Sequence, residues 1–323
     1  MDYHNSSLSP QQVREAARNA KYRDTLKSSD TEEHIDLAFY RPIGYMWARI
    51  AAALGITPNA ITIASIFLGI GAGITFYFNN LWINILGMFL LVWANSFDSA
   101  DGQLARITKQ YSQLGRILDG MAGFFWFTTI YIAICMREVN STDVFHLHHW
   151  LLWIAALGAG ICHSKHTAVA DYYRQFHLYF LKGEDGSELE SAYSVKRKFK
   201  ELSWKKNFVR KIILWSYMTY TINQEQMTPA MQLLRRTLLQ KYGRASAIPI
   251  AFRREFRRLS LPLMKYTNFL TFNWRTIFLF ITLFIGSPWI YFIIELTLFN
   301  AVLIYTMIRH ERLCRKLAAQ LQN

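Results

Sequence analysis

Cysteine is scarce: the chain holds 3 in 323 residues, Cys135, Cys162 and Cys314. Their scattered spacing excludes a disulfide framework and a cysteine-based metal site, and leaves them as reduced packing residues. Aspartate is absent from residues 200–323, so the later part of the chain offers no second aspartate-rich motif. Acidic charge is outweighed, with 22 Asp and Glu against 36 Lys and Arg and a formal net charge of +14. Such an excess points to a polyanionic surface or substrate, either nucleic acid or anionic lipid headgroups. An early apolar run is also missing. About forty largely polar residues come first, which places the first run too late for a cleavable signal peptide.

Apolar residues make up 52% of the chain and aromatics 15%, and their long runs decide for lipid over nucleic acid. The expected fold is an all-α integral membrane protein. Six spans, each near the ~20 residues a bilayer requires, are expected at residues 60–78, 82–105, 113–136, 149–172, 268–286 and 288–308. Breaks fall at Asn79-Asn80, Thr108 to Ser112, Arg137 to Asp143 and Ser287-Pro288. Residues 1–35 are polar and helix-forming, with Ser9-Pro10 as a helix start. Residues 36–55 mix aromatics with Arg41 and Arg49, as an amphipathic helix at the headgroup level does. Four regions follow: cytoplasmic and interfacial helices at 1–55, a transmembrane catalytic core at 56–175, a basic cytoplasmic insertion at 176–266, and spans five and six with the tail at 267–323. The many Phe, Trp and Tyr side chains read as core and membrane belts.

Charge sets the orientation. Residues 182–265 hold 18 Lys and Arg against 7 Asp and Glu, so +11 of the net +14 lies between spans four and five. Basic loops stay cytoplasmic, which puts both termini on that side, in agreement with the basic stretch at 309–316. The insertion carries basic pairs at Arg235-Arg236, Arg253-Arg254 and Arg257-Arg258. It reads either as a solvated face against anionic lipid or as a cap over an active site. No nucleic-acid-binding signature accompanies the charge, so nucleic acid is not an expected partner.

Residues 98–119 hold the chemistry. Asp98 and Asp101 are three apart and share one helix face, behind a largely apolar run from Ile83 to Val92. Carboxylates set against hydrocarbon are costly and mark function by default. Hard oxygen ligands so grouped suit Mg²⁺ or Mn²⁺, often shared with a substrate phosphate. They lie at the expected cytoplasmic ends of spans two and three, on the side that charge alone selects. Helix caps and buried ion pairs do not account for three intramembrane carboxylates beside so many small residues.

The full spacing is Asp98-x2-Asp101-Gly102-x2-Ala105-Arg106-x8-Gly115-x3-Asp119. It resembles the signature of the CDP-alcohol phosphotransferases, integral membrane enzymes of phospholipid synthesis. Thr57-Pro58-Asn59 also looks like that family's first span, and the resemblance covers roughly residues 36–175. It implies an enzyme in which an acceptor alcohol attacks the β-phosphorus of a CDP-linked lipid or headgroup and CMP leaves. By the same resemblance Asp98, Asp101 and Asp119 are metal ligands for Mg²⁺ or Mn²⁺. Gly102, Ala105 and Gly115 let the nucleotide approach closely, and Arg106 pairs with phosphate. Asn59 either reaches the nucleotide or caps a helix. The resemblance also implies a homodimer and a multi-pass protein, here of a bacterial inner membrane.

One position departs from the pattern. The family places a fourth aspartate four residues after the third, as a ligand and general base, and here that position is Gly123. Glycine can do neither. Three explanations stand side by side. A neighbouring base substitutes, the acceptor's own phosphate takes the proton, or the chain binds CDP-lipid with little chemistry. For the first, His163, His166, Asp171 and Arg174 fall within roughly 140° of one helix face at about 100° per residue. The two histidines are the candidate bases, since an unperturbed imidazole titrates near ~6.5, and Asp171 and Arg174 are candidate substrate contacts; alternatively, all four are interfacial groups that contact lipid phosphates. Asn268, Asn273 and Arg275 open span five. Arg275 could bind an acceptor phosphate, or the group anchors the helix at the interface. His146, His148 and His149 form a weak metal candidate on the far side of the membrane. An intramembrane prenyltransferase is disfavoured, because a second aspartate-rich motif is missing.

Overall fold

The computed structural model describes residues 22–26, 28, 30–141, 148–183, 189, 191–204 and 207–322. The expected helix start at Ser9-Pro10 and most of the polar N-terminal stretch lie outside the described residues, as does His146. No strand occurs among the described residues. Two compact units form, one from Met1–Gly160 with Thr276–Ile293, the other from Ile161–Arg275 with Ile294–Asn323.

The first unit is built on four helices: α1 (Arg41–Leu54), α2 (Pro58–Thr75), α3 (Leu81–Thr108) and α4 (Gln113–Ser141). Local sequence accounts for their ends. Thr57 is extended and caps α2 by accepting the Ala60 N–H at 3.3 Å, with Pro58 in the first turn, where it forfeits no hydrogen bond. Asn80 caps α3 by accepting from Trp82 and Ile83 at 2.9 and 3.2 Å, which makes the break expected at Asn79-Asn80. Small residues then set how closely the helices pack. A Cβ on Gly69 would lie 2.0 Å from the Trp126 ring, and one on Gly73 would lie 3.0 Å from the Ile130 nitrogen. These two glycines therefore admit α4 against α2. On the other side, Ala48, Ala51 and Ala52 of α1 pack on Ala100, Leu104 and Ile107 of α3. Arg137 of α4 donates to the Phe78 carbonyl and to Asn79 Oδ1, satisfying groups just past the end of α2.

The second unit begins within α5 (His149–Lys182) and takes in α6 (Ala192–Glu201), α7 (Phe208–Met227), α8 (Pro229–Tyr242), α9 (Ile250–Ser260) and α10 (Met264–Phe269). Helix α11 (Phe272–Phe284) and the short α12 (Ile290–Ile294) follow, then a π turn at Glu295–Phe299 and α13 (Asn300–Gln322). The basic segment is thus a folded helical body. Part of its charge is used internally: Lys211 donates to the Leu202 carbonyl at 2.6 Å and sits over the Phe199 and Trp204 rings. Glu311 of α13 accepts the Ala230 and Met231 N–H groups and so caps α8.

Four helices among the described residues are long and apolar enough to cross a membrane, at Pro58–Thr75, Leu81–Thr108, Leu118–Asn140 and Ile290–Gln322. Their outer faces carry large exposed apolar groups such as Phe67, Leu86 and Ile304, which suit hydrocarbon and not water. The other two expected spans read differently. Residues 149–172 lie in a continuous helix whose apolar character is broken by His163, Lys165, His166 and Asp171, and residues 268–286 are divided by a turn before the 13-residue α11.

Candidate metal and nucleotide site

Helices α3 and α4 bring the motif together. Asp98 and Asp101 stand one turn apart on α3, and Asp119 comes from α4. Each offers a carboxylate oxygen, and these atoms all lie within 4.8 Å of one another. Asp101 is buried, Asp98 half-buried and Asp119 exposed, so the cluster opens on one side. Three carboxylates gathered this closely repel one another, and a set of hard oxygen ligands is what a divalent cation takes. The residues present fit such an ion. Among the described residues no histidine or cysteine joins a ligand group of this kind, and His148 and His149 are exposed.

A third helix fixes the buried carboxylate. Thr62 of α2 donates its hydroxyl to Asp101 Oδ2 and is itself 2% exposed. Sequence reasoning missed it, since a threonine in an apolar helix reads as filler. The signal available was its place three residues after Asn59, on the same face.

Asn59 does not cap α2, because Thr57 does. Its Oδ1 lies 3.1 Å from the Ser112 hydroxyl, which also accepts the Gly115 N–H at 2.8 Å. A Cβ on Gly115 would fall 2.3 Å from Asn59 Oδ1. The motif glycine therefore makes room for Asn59 itself. Gly102 plays a different part. A Cβ there would meet the Arg106 guanidinium at 3.5 Å, an ordinary contact. Arg106 donates through Nε to the Thr25 carbonyl at 2.6 Å, and its Nη2 is buried with no hydrogen-bond partner among the described residues. Ala105 is half-buried beside it. At Gly123 a Cβ would meet nothing within 4 Å, so packing does not demand glycine where the family carries its fourth aspartate.

The remaining candidates lie in the second unit, each with partners there. Arg275 and Glu295, both 0% exposed, form an ion pair. Arg275 Nη1 also lies 2.9 Å from His163 Nδ1, and its Nε and Nη2 donate to the Leu270 carbonyl at 3.2 Å. An arginine cannot accept, so His163 Nδ1 accepts and a neutral ring carries its proton on Nε2. His166 places Nε2 3.0 Å from Asn300 Oδ1 and Nδ1 3.4 Å from Glu295 Oε2. Asn300 is oriented in turn by donating to the Leu296 carbonyl at 2.9 Å and to Cys162 Sγ. Glu295 and Asn300 bracket the π turn, a helix irregularity that widens the backbone. Neither residue stood out in the sequence, as each is a lone polar group in an apolar run. Asp171 is reached by Tyr220 and Gln224 of α7, and Arg174 donates through Nε and Nη2 to Asn268 Oδ1 at 2.9 and 2.7 Å. Burial, and then the Asp171 charge, hold the Tyr220 phenol well above its ordinary range, so it stays a donor.

Comparison with known proteins agrees with the geometry. The CDP-alcohol phosphatidyltransferase family model matches residues 55–173. An archaetidylinositol phosphate synthase of Pyrococcus horikoshii is 40% identical over 93 residues, 29% of this chain and 48% of the relative. The chain thus spans about half the length of the curated relative it matches. Members of this family generally depend on divalent metal, and the apolar helices make the chain a multi-pass membrane protein. Residues 55–173, with the aspartate cluster at their centre, are thus similar to the CDP-alcohol phosphatidyltransferase domain.

Proposed function

We propose that the chain transfers a phospho-alcohol group from a CDP-alcohol to an acceptor alcohol that carries its own phosphate, such as an inositol phosphate, and releases CMP. The observation that carries this reading is the convergence of Asp98, Asp101 and Asp119 within 4.8 Å on helices that bear the rest of the motif. The acceptor oxygen forms a bond to the β-phosphorus of the donor, and the bond from that phosphorus to the bridging oxygen breaks. CMP leaves with the electron pair. The three aspartates would hold Mg²⁺ or Mn²⁺, which when bound neutralises phosphate charge. Asn59 offers polar contact to the nucleotide, Gly102 and Ala105 leave the α3 surface low beneath it, and Arg106 offers Nη2 to a phosphate. In the membrane the chain would span six times, with the aspartates facing the cytoplasm and the basic helices against anionic lipid.

The acceptor's own phosphate takes the hydroxyl proton in this scheme. Gly123 has no side chain to receive it. His163 gives Nδ1 to Arg275, and His166 gives Nε2 to Asn300. A histidine base would require that network to release a ring nitrogen. The relative's name, archaetidylinositol phosphate synthase, agrees with an inositol phosphate acceptor. Purified protein given CDP-diacylglycerol and Mg²⁺ or Mn²⁺ is expected to release CMP with inositol phosphate and not with inositol. Gly123→Asp should fold, since its Cβ meets nothing within 4 Å, and should gain turnover with inositol. A positioned base contributes typically about 10²–10⁴-fold. CMP release by the wild type with inositol alone would end the phosphate-assisted reading. CDP-lipid binding without CMP release from any acceptor would make the chain a binding protein, the reading that Gly123 favours.

A smaller effect is expected at Gly115. Gly115→Ala would push Asn59 aside, because the new methyl would lie 2.3 Å from its oxygen. The KM for the CDP-linked donor should rise about tenfold, the worth of roughly one hydrogen bond, with the unfolding midpoint little changed. An unchanged KM would remove Asn59 from the donor site.

A further inference from the structure

We infer that Ser112 is a positioning residue that sets the orientation of the Asn59 carboxamide and thereby makes Asn59 a hydrogen-bond donor to the nucleotide. The inference rests on the proposed nucleotide site.

The hydroxyl of Ser112 has one proton and two lone pairs. One lone pair is taken by the Gly115 N–H at 2.8 Å, an N-cap contact in the first turn of α4. The hydroxyl proton is then left for Asn59 Oδ1 at 3.1 Å. That bond holds the carboxamide oxygen toward the start of α4, so the amide NH2 is what Asn59 has left to present. Two features keep the arrangement in place. Gly115 has no Cβ, and one would collide with Asn59 Oδ1 at 2.3 Å. Thr57 takes over the capping of α2, which relieves Asn59 of that duty. Asn59 is thus half-buried, with its oxygen engaged and its NH2 directed elsewhere. An NH2 so held recognises acceptor atoms, such as base carbonyl or phosphate oxygens, and not donors.

Ser112 has two separable duties, and substitutions tell them apart. Ser112→Ala loses both. Ser112→Asp keeps the cap, because a carboxylate accepts the Gly115 N–H, but it has no proton to give Asn59. Ser112→Thr keeps both. The probe is CMP in the presence of Mn²⁺, titrated calorimetrically against the 323-residue protein in detergent, with thermal unfolding in parallel. Ser112→Asp and Ser112→Ala are expected to weaken CMP about tenfold. Ser112→Thr should stay within about twofold, and only Ser112→Ala should lower the unfolding midpoint. In an Asn59→Ala background, Ser112→Asp should have no further effect on CMP, since the residue acts through Asn59. The inference is overturned if Ser112→Asp binds CMP as the wild type does, if losses follow the unfolding midpoint, or if the effect persists undiminished without Asn59. A wild-type protein that binds no CMP brings down the nucleotide site itself, and the inference with it.

Discussion

Asp119→Asn is expected to lower CMP release by about a thousandfold or more. Asp119 is the carboxylate that α4 contributes, facing Asp98 and Asp101 of α3 across less than 4.8 Å. The substitution keeps the shape and removes the charge. A divalent ion stabilises a phosphoryl transition state by several kcal/mol, and each 1.36 kcal/mol is about a tenfold change in rate. The exposed position of Asp119 separates activity from folding. Removing one of three mutually repelling charges should leave the unfolding midpoint of the metal-free protein equal or higher. Mn²⁺ affinity, read by calorimetry, should fall together with turnover. Turnover within tenfold of the wild type would remove Asp119 from the ligand set. Asp101 would be a less clean test, because its carboxylate also receives the buried Thr62 hydroxyl, whose other acceptor is the Pro58 carbonyl at 3.1 Å, so its loss also rearranges α2.

The parts of the site legible in the sequence are those whose physics is local. Asp98 and Asp101 announce themselves by their three-residue spacing inside apolar sequence, and Thr57-Pro58 marks a helix start by its own chemistry. What stays hidden depends on partners distant along the chain. Thr62 acquires its role only from Asp101, 39 residues later. Glu295 is a lone acid until Arg275 is seen beside it. The face shared by His163, His166, Asp171 and Arg174 is real as helix geometry, yet it does not make one site. Along so long a helix each turn meets different neighbours. The histidines go to Glu295, Asp171 goes to Tyr220 and Gln224, and Arg174 goes to Asn268. Helix boundaries meet the same limit. Hydropathy cannot foresee that Gly286, at φ 79°, and the preceding turns shorten α11 to 13 residues.

Glu295→Ala is expected to cost about 3–5 kcal/mol of stability, which is what breaking one partner of a buried ion pair typically costs. Arg275 is fully buried, and its charge is balanced by Glu295 within its own unit. The same carboxylate faces His163 Nδ1 at 3.7 Å and His166 Nδ1 at 3.4 Å. Without it a guanidinium stays in an apolar interior beside two imidazoles, the Leu270 carbonyl and the Phe299 ring, none of which carries a negative charge. Folded proteins hold only about 5–15 kcal/mol in reserve, so the variant should show a strongly lowered unfolding midpoint in detergent and poor accumulation in membranes. Glu295→Gln should cost less, because its amide oxygen still accepts from Arg275. Replacing the pair together, as Arg275→Met with Glu295→Leu, should recover much of the loss, since removing both charges leaves none unpaired. The recovery discriminates a charge-balance role from a packing role. If Glu295→Ala melts as the wild type does, the pair does not hold the second unit together. If the double replacement is worse than Glu295→Ala alone, the side chains matter for their shape and hydrogen bonds to the histidines, and not for charge.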